Sequence, residues 1–278
     1  MSRDLKNSVV IITGASAGIG KALAEQLHAE GCRLTLAARR IDRLEALNHA
    51  LGGAHLCLQI DVSRPDDCKM LIDETVEQFG AIDTLVCNAG YGLVRRVDEM
   101  TEAELHAIIN TNVFGTTEPI RHAVPILRKN DVRGGWRGQI MIVSSAAARR
   151  GLPFFGAYAA TKAAQLSLAE AARVELMDER ISVTSVHPIG TTTEFITAAE
   201  TLSERAIESP RRTPYRQSAE DVARAMVKAM KRPRPEVWPM RASRWGLALA
   251  ILTPSFADRI MRRSFRDIAA HQARLRAK

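Results

Sequence analysis

From residue 8 to residue 190, short apolar runs alternate with stretches whose apolar positions recur every three or four residues. Val9-Val10-Ile11-Ile12 is continuously apolar and reads as a buried strand. After a Gly-rich turn, Ile19, Leu23 and Leu27 recur at helical spacing, and Gly31 sits where a helix C-cap belongs. Leu34 to Ala38 reads as a strand, Leu44, Leu47 and Leu51 mark a helix, and His55 to Ile60 is again a strand. Met70 to Phe79 reads as helix, Thr84 to Cys87 as strand, and Thr101 to Lys129 as one long helix. Gln139 to Val143 (strand), Ala157 to Met177 (helix) and Ile181 to Val186 (strand) complete the series. Apolar strands alternating with helices predict a parallel sheet covered on both faces: an α/β, doubly wound, three-layer α/β/α sandwich.

After Pro188 the alternation weakens. Residues 191 to 217 are polar and read as a mobile segment. Ser218-Ala-Glu-Asp has the capping serine and early acids of a helix start, with the helix running to about Lys231. Glu236-Val-Trp is a candidate last strand, and Trp245 to Leu252 is an apolar stretch inside a basic tail. The net charge of +8 belongs to that tail: Lys228 to Lys278 holds 13 Lys/Arg against 3 Asp/Glu, and the remainder 26 against 28.

With 46% hydrophobic and 25% charged residues, the 278-residue chain has the composition of a folded protein. No run approaches the roughly 20 apolar residues that cross a bilayer, and no secretory signal is expected from the first residues. Cys32, Cys57, Cys68 and Cys87 are scattered, without a C-x-x-C pair. They read as small buried hydrophobes in a reducing, cytoplasmic setting, and no metal site is expected.

Three constellations carry chemistry. Thr13-Gly14-Ala15-Ser16-Ala17-Gly18-Ile19-Gly20 lies between a predicted strand and a predicted helix. There, backbone N–H groups and the helix dipole hold a pyrophosphate in Rossmann-type folds. The other reading is an ordinary strand–turn–helix, since the spacing is G-x-x-x-G-x-G. Arg39-Arg40 ends the second strand, 19 residues after Gly20. An acid at this place takes the ribose 2′-OH of NAD, and an arginine suits the 2′-phosphate of NADP. The alternative is a solvated pair. Tyr158 and Lys162 stand four apart on one helix face, with Ser145 just past the end of a strand. A tyrosine, reference pKa about 10, needs a nearby cation to act as acid–base near neutrality.

Together these residues resemble the classical short-chain dehydrogenase/reductase family over roughly residues 7 to 240. The glycine motif is similar to T-G-x-x-x-G-I-G, and Tyr158-Ala-Ala-Thr-Lys162 to Y-x-x-x-K. Asn88-Ala89-Gly90, Asn112 in Asn112-Val-Phe-Gly115, and Asp61-Val62 also match in order. The resemblance implies a tetrad of Asn112, Ser145, Tyr158 and Lys162. Tyr158 exchanges a proton with the substrate oxygen, and Lys162 lowers its pKa and bonds the nicotinamide ribose. Ser145 orients the substrate oxygen, and Asn112 positions a water leading from Lys162 to solvent. It implies cofactor contacts at Gly14, Ser16, Gly18, Ile19, Gly20, Arg39, Arg40, Asp61, Val62, Asn88, Ala89, Gly90, Tyr158, Lys162, Ile189 and Thr193.

Two positions depart from the pattern. Pro188-Ile189-Gly190 replaces the family's Pro-Gly, so that Gly190 takes over the glycine role or the loop differs. Cys87 replaces an asparagine.

The expectation is therefore an oxidoreductase that uses NADP(H) on a carbonyl/alcohol pair. An NAD-dependent alcohol dehydrogenase and a non-catalytic NADP-binding regulatory protein are the alternatives. Residues 194 to 217 are expected to cover the substrate, with Phe195, Ile196, Leu202 and Ile207 as apolar contacts and Arg211 and Arg212 near the end. A homodimer or homotetramer is expected. The tail has three readings: packing on the body or a partner subunit, lying on a membrane surface, and, last, binding nucleic acid. No nucleic acid partner is expected, for want of a motif.

Overall fold

The computed structural model describes residues 2–203 and 217–276. Its sheet contains β1 (Val9–Thr13), β2 (Arg33–Ala38), β3 (Leu56–Gln59), β4 (Thr84–Cys87), β5 (Gly138–Val143), β6 (Ile181–Val186) and β9 (Glu236–Val237). The order is β3-β2-β1-β4-β5-β6-β9, with every neighbouring pair parallel. Each of the seven predicted strands is present. A further pair, β7 (Thr191–Thr192) and β8 (Gln217–Ser218), lies apart from the sheet.

The helices are α1 (Gly18–Ala29), α2 (Ile41–Ala50), α3 (Pro65–Phe79), α4 (Glu102–Ile109), α5 (Gly115–Leu127), α6 (Gly156–Glu175), α7 (Phe195–Ser203), α8 (Ala219–Lys231), α9 (Arg241–Leu252) and α10 (Pro254–Arg276). The continuous apolar strands have a simple cause. Alternate residues point to opposite faces, and both faces are covered. Val10, Ile12, Val86, Met141 and Val143 belong to one core, with residues of α1 and α8. Ile11, Leu85, Cys87, Ile140 and Ile142 belong to the other, with residues of α3, α5 and α6.

Strand order reverses between β1 and β4, which pair directly (Ile11 with Leu85). Connections from these two strands leave in opposite directions, and a crevice opens beyond their carboxyl ends.

Three expectations need correction. The helix predicted over Thr101 to Lys129 is interrupted. α4 and α5 are separated by a π-helical segment, Asn110–Phe114. The segment predicted as mobile from residue 191 contains β7 and the helix α7. Its buried positions are the small Ala199 and Ser203, which leave no apolar stripe to read. Residues Ile207, Arg211 and Arg212 lie outside the described residues. The tail forms two helices, α9 and the 23-residue α10, where one apolar stretch was predicted. Among the described residues no helix is long and apolar enough to cross a membrane.

The capping prediction at Ser218 holds. Its side chain accepts a hydrogen bond from the Asp221 N–H at 3.0 Å and opens α8.

Candidate active site

The glycine loop fills the crevice between β1 and β4. Gly14 has φ +69°, a left-handed conformation that disfavours any side chain. Gly20 is needed for close approach, since a Cβ there would lie 2.3 Å from the Gly14 carbonyl oxygen. α1 begins at Gly18 with no side-chain cap and no acid in its first turn. Its first N–H groups therefore face the crevice with the positive end of the helix dipole.

Thr13, which the sequence reading took only as part of the motif, ties the loop to β4. Its hydroxyl accepts from the N–H groups of Asn88 and Ala89, both at 3.0 Å. The Asn88 side-chain amide donates to the carbonyls of Thr13 (2.9 Å) and Gly14 (3.2 Å).

Asn88-Ala89-Gly90 joins this cradle to the predicted tetrad. A Cβ on Gly14 would lie 2.9 Å from the Ala89 Cα, and one on Gly90 3.0 Å from Asn112 Oδ1 and 3.5 Å from Lys162 Nζ. Asn112 lies in the π-helical segment and is fully buried. Its side chain is held by the Tyr91 backbone on both sides and by Thr161 Oγ1, all at 3.0 Å.

Its carbonyl accepts from Gln165 Nε2 (2.8 Å), and Gln165 Oε1 accepts from Lys162 Nζ (2.8 Å). The buried Gln165 amide thus spans from Lys162 to the Asn112 carbonyl. Gln165 was missed in the sequence. The available signal was a polar residue one turn beyond Lys162 on a face otherwise occupied by Leu166 and Ala169.

Lys162 also donates to the Val143 carbonyl at 2.9 Å, and its Nζ lies 5.6 Å from the Tyr158 ring centroid. Burial lowers the Lys162 pKa to about 7. Burial pushes the Tyr158 phenol up to about 12, against a hydrogen bond with Ser145 that lowers it. At Tyr158 desolvation therefore outweighs the lowering by the Ser145 hydrogen bond.

Ser145 stands at the end of β5, where its hydroxyl accepts from the Ala147 N–H at 3.1 Å. Behind it lies His187, a second residue the sequence reading missed. A carbonyl can only accept, so the contact of His187 Nδ1 with the Ser145 oxygen (3.3 Å) places the proton on Nδ1. Nε2 then accepts from Ser185 Oγ at 3.0 Å, and Trp238 stacks on the ring with centroids 4.4 Å apart.

Burial lowers the His187 pKa to about 4. As pH falls below the ordinary value near 6.5, the unfolded chain takes up a proton that the fold refuses. Stability present above that pH is then lost down to about pH 4, by about 2–3 kcal/mol. Urea unfolding midpoints at neutral pH and near the lower limit should show this loss in the wild type and a shallower slope in His187→Gln. Equal slopes would refute the assignment.

The remaining cofactor candidates are spread around the cradle. Thr193 packs on the glycine loop, with a Cβ on Gly18 only 3.1 Å from its Cγ2. Ile189 keeps a negative φ, and Gly190 adopts φ +53°, so the glycine role falls to Gly190. Ile19 is partly buried against the core containing α1. The Asp61 carboxyl, which burial alone would raise, is brought below the usual range by Ser63 hydrogen bonds and by Arg39 and Arg64. The Val62 side chain is buried against Gly115. Arg39 is exposed at the end of β2. Arg40 donates to Ser16 Oγ (3.2 Å) and to Glu194 (3.3 Å), and Arg43 also holds Glu194 at 2.9 Å.

On the other side of Tyr158 the surroundings are apolar. Phe195 of α7 packs on its ring with centroids 5.1 Å apart, and Phe155 meets it edge-on at 6.2 Å. Leu93, Ile108 and Ala157 form a small buried cluster with Tyr91, Met100 and Tyr158. Ser203 fixes α7 by accepting from the Val94 N–H at 2.9 Å. Ile196 and Leu202 are exposed.

A family model described as short chain dehydrogenase matches residues 8–203. The chain belongs to the short chain dehydrogenase family. Among curated relatives, 11-beta-hydroxysteroid dehydrogenase 1A of Arabidopsis thaliana is 38% identical over 194 residues, 67% of this chain and 53% of the relative. The chain thus spans about half the length of that relative. A short chain dehydrogenase/reductase of Burkholderia phymatum in complex with NAD shares the fold, with TM-score 0.80 at 24% identity over 91% of this chain and 96% of the other. An alcohol dehydrogenase of Thermococcus sibiricus complexed with 5-hydroxy-NADP gives TM-score 0.69 at 28% identity, covering 82% and 94%. The family match ends at the last residue of α7, so α8, the final strand and the tail lie beyond it.

Proposed function

We propose that the protein is an NADP(H)-dependent oxidoreductase acting on a carbonyl or secondary alcohol, with Tyr158 as general acid–base. The observation that carries this reading is the Asn88-Ala89-Gly90 bridge. One end closes against Gly14 in the phosphate cradle, and the other against Asn112 and Lys162. The cradle fits a dinucleotide, with glycines where a Cβ would intrude, a start of α1 that no side chain caps, and arginines in place of an acid after β2.

The cofactor when bound supplies or accepts the hydride. The chain's own residues do the rest. Ser145 donates a hydrogen bond to the substrate oxygen and orients it. Tyr158, held in its protonated form by burial, gives that oxygen a proton on reduction and recovers one on oxidation. Below about pH 7 Lys162 is an ammonium, and its charge eases ionisation of Tyr158. Gln165 and the Asn112 carbonyl fix the Lys162 head group. Phe155, Phe195, Leu93 and Met100 suit a medium-sized apolar substrate. The names of the plant relatives support steroid-like ketones as the first compounds to try.

In this reading residues 1–240 are the oxidoreductase unit, α7 covers the substrate, and 241–278 is a basic extension. The test follows nicotinamide absorbance with NADPH and NADH against carbonyl compounds graded in size and polarity. Turnover is expected with NADPH, and best with the apolar members. Tight NADPH binding with no turnover on any compound would favour a regulatory, non-catalytic protein instead.

A further inference from the structure

α9 touches the body on one side only, where Leu247 and Ala250 are half-buried and Arg244 pairs with Glu236 at 3.6 Å. Arg241 and Arg244 stand in its first turn, where the dipole disfavours cations; no side chain caps it, and none of its residues is buried. Twelve residues do not sustain a helix in water unaided. Yet Trp245, Leu249 and Leu252 recur at i, i+4 and i+7, on one face, and are 74%, 58% and 79% exposed. α10 adds Phe256 and Ile260, also exposed.

The other side of α10 is held by the body. Ala257 is buried, Phe265 stacks on Phe154 with centroids 5.4 Å apart, and Arg150 pairs with Asp258. α9 itself lies against the turn Ala146–Arg149 that follows Ser145. The apolar stripe is therefore presented on a fixed platform beside the site.

Its surroundings are strongly basic. Residues 241–266 contain six arginines and one aspartate, and that aspartate is engaged by Arg150. Arg241, Arg259, Arg262, Arg263 and Arg266 are exposed.

We propose that α9 and the first turns of α10 lie in the interface of an anionic lipid bilayer. Trp245, Leu249, Leu252 and Phe256 reach the acyl boundary, and the arginines meet lipid phosphates. An apolar face bearing tryptophan and rimmed by arginines is the signature of an interfacial helix, and this one is too short to span. A second copy of the chain fits less well. A symmetric contact would bring two sets of these arginines together, whereas lipid phosphates neutralise them. The proposal rests on the tail alone and stands apart from the proposed chemistry.

The test is co-sedimentation of the full chain with phosphatidylcholine vesicles, with and without phosphatidylglycerol. The wild type should pellet with the anionic vesicles only, and less as salt is raised. Leu249→Ser/Leu252→Ser should weaken binding by about tenfold or more. Arg259→Glu should weaken it by about fivefold. Both serine positions are exposed, so the variant should keep the wild-type thermal midpoint, which serves as the control for folding. A blue shift of tryptophan emission on adding vesicles should vanish in Trp245→Phe. Three results would each overturn the proposal: wild type left in the supernatant, equal pelleting on neutral vesicles, or an oligomer without vesicle binding that the serine variant splits into monomers. The last would give the face to a second copy.

Discussion

A Tyr158→Phe enzyme is expected to lose turnover by a factor of about 10²–10⁴ while keeping its affinity for NADPH. The change removes one oxygen and leaves the ring, with its contacts to Phe155 and Phe195, in place. Nothing on the phosphate side of the crevice depends on that oxygen. Gly14, Asn88 and Thr13 are tied to each other through backbone and amide groups. What the substrate loses is the only hydroxyl in the proposed tetrad, apart from that of Ser145, that can pass a proton to its oxygen. Ser145 cannot substitute, since an aliphatic hydroxyl is a far weaker acid than a phenol and the neighbouring His187 meets its backbone carbonyl, not its hydroxyl. Stopped-flow or steady-state turnover, set beside a fluorescence titration with NADPH, checks both halves. A variant that still turns over within a few-fold of wild type would remove Tyr158 from the acid–base role. Loss of cofactor binding together with turnover would mean that the phenol supports the cradle instead.

How much of this was legible in the sequence depends on what each element buries. β1, β4, β5 and β6 are buried at every residue, and β-branched or apolar residues recur through each even where, as at Ser182, Thr184 and Ser185 of β6, a buried position is polar. The glycine loop was legible because close approach and positive φ leave few alternatives to glycine at Gly14 and Gly20. The break at Asn110–Phe114 was not. A π-helical turn shifts register by one residue, less than apolar periodicity resolves, and yet it holds the Asn112 carbonyl that accepts from Gln165 and Thr116. α7 was hidden because its buried positions are Ala199 and Ser203, and α10 because arginine dominates its exposed side. His187 and Gln165 act through polar contacts made across 42 and 53 residues of chain, which local pattern does not carry. The tetrad was found through spacing and resemblance. Its protonation was not, since burial that shifts Lys162 toward about 7 is a property of the fold.

Replacing Arg39 by alanine is expected to weaken NADPH binding by about tenfold to a hundredfold and to change NADH binding little, since a charge-assisted contact to phosphate contributes about 1.5–3 kcal/mol. Arg39 is exposed at the end of β2, and its charge is felt at Asp61, the next strand's end, so it overlooks the place where an adenine ribose sits in this fold. Arg40 is a different case. It already has an anion, the Glu194 carboxylate, which it shares with Arg43 next to Ser16. A 2′-phosphate arriving there competes with Glu194 for the same guanidinium. Glu194→Gln should therefore strengthen NADPH binding by several-fold and leave NADH unaffected, whereas Arg40→Ala should weaken NADPH less than Arg39→Ala does. Titrations of both cofactors at two salt concentrations decide the matter, because contact with a doubly charged phosphate is the more salt-sensitive. Equal losses for the two cofactors in Arg39→Ala would detach that residue from the 2′-phosphate. If Arg40→Ala then proved the more damaging to NADPH, the phosphate would lie between Ser16 and Arg43, in the position Glu194 now holds.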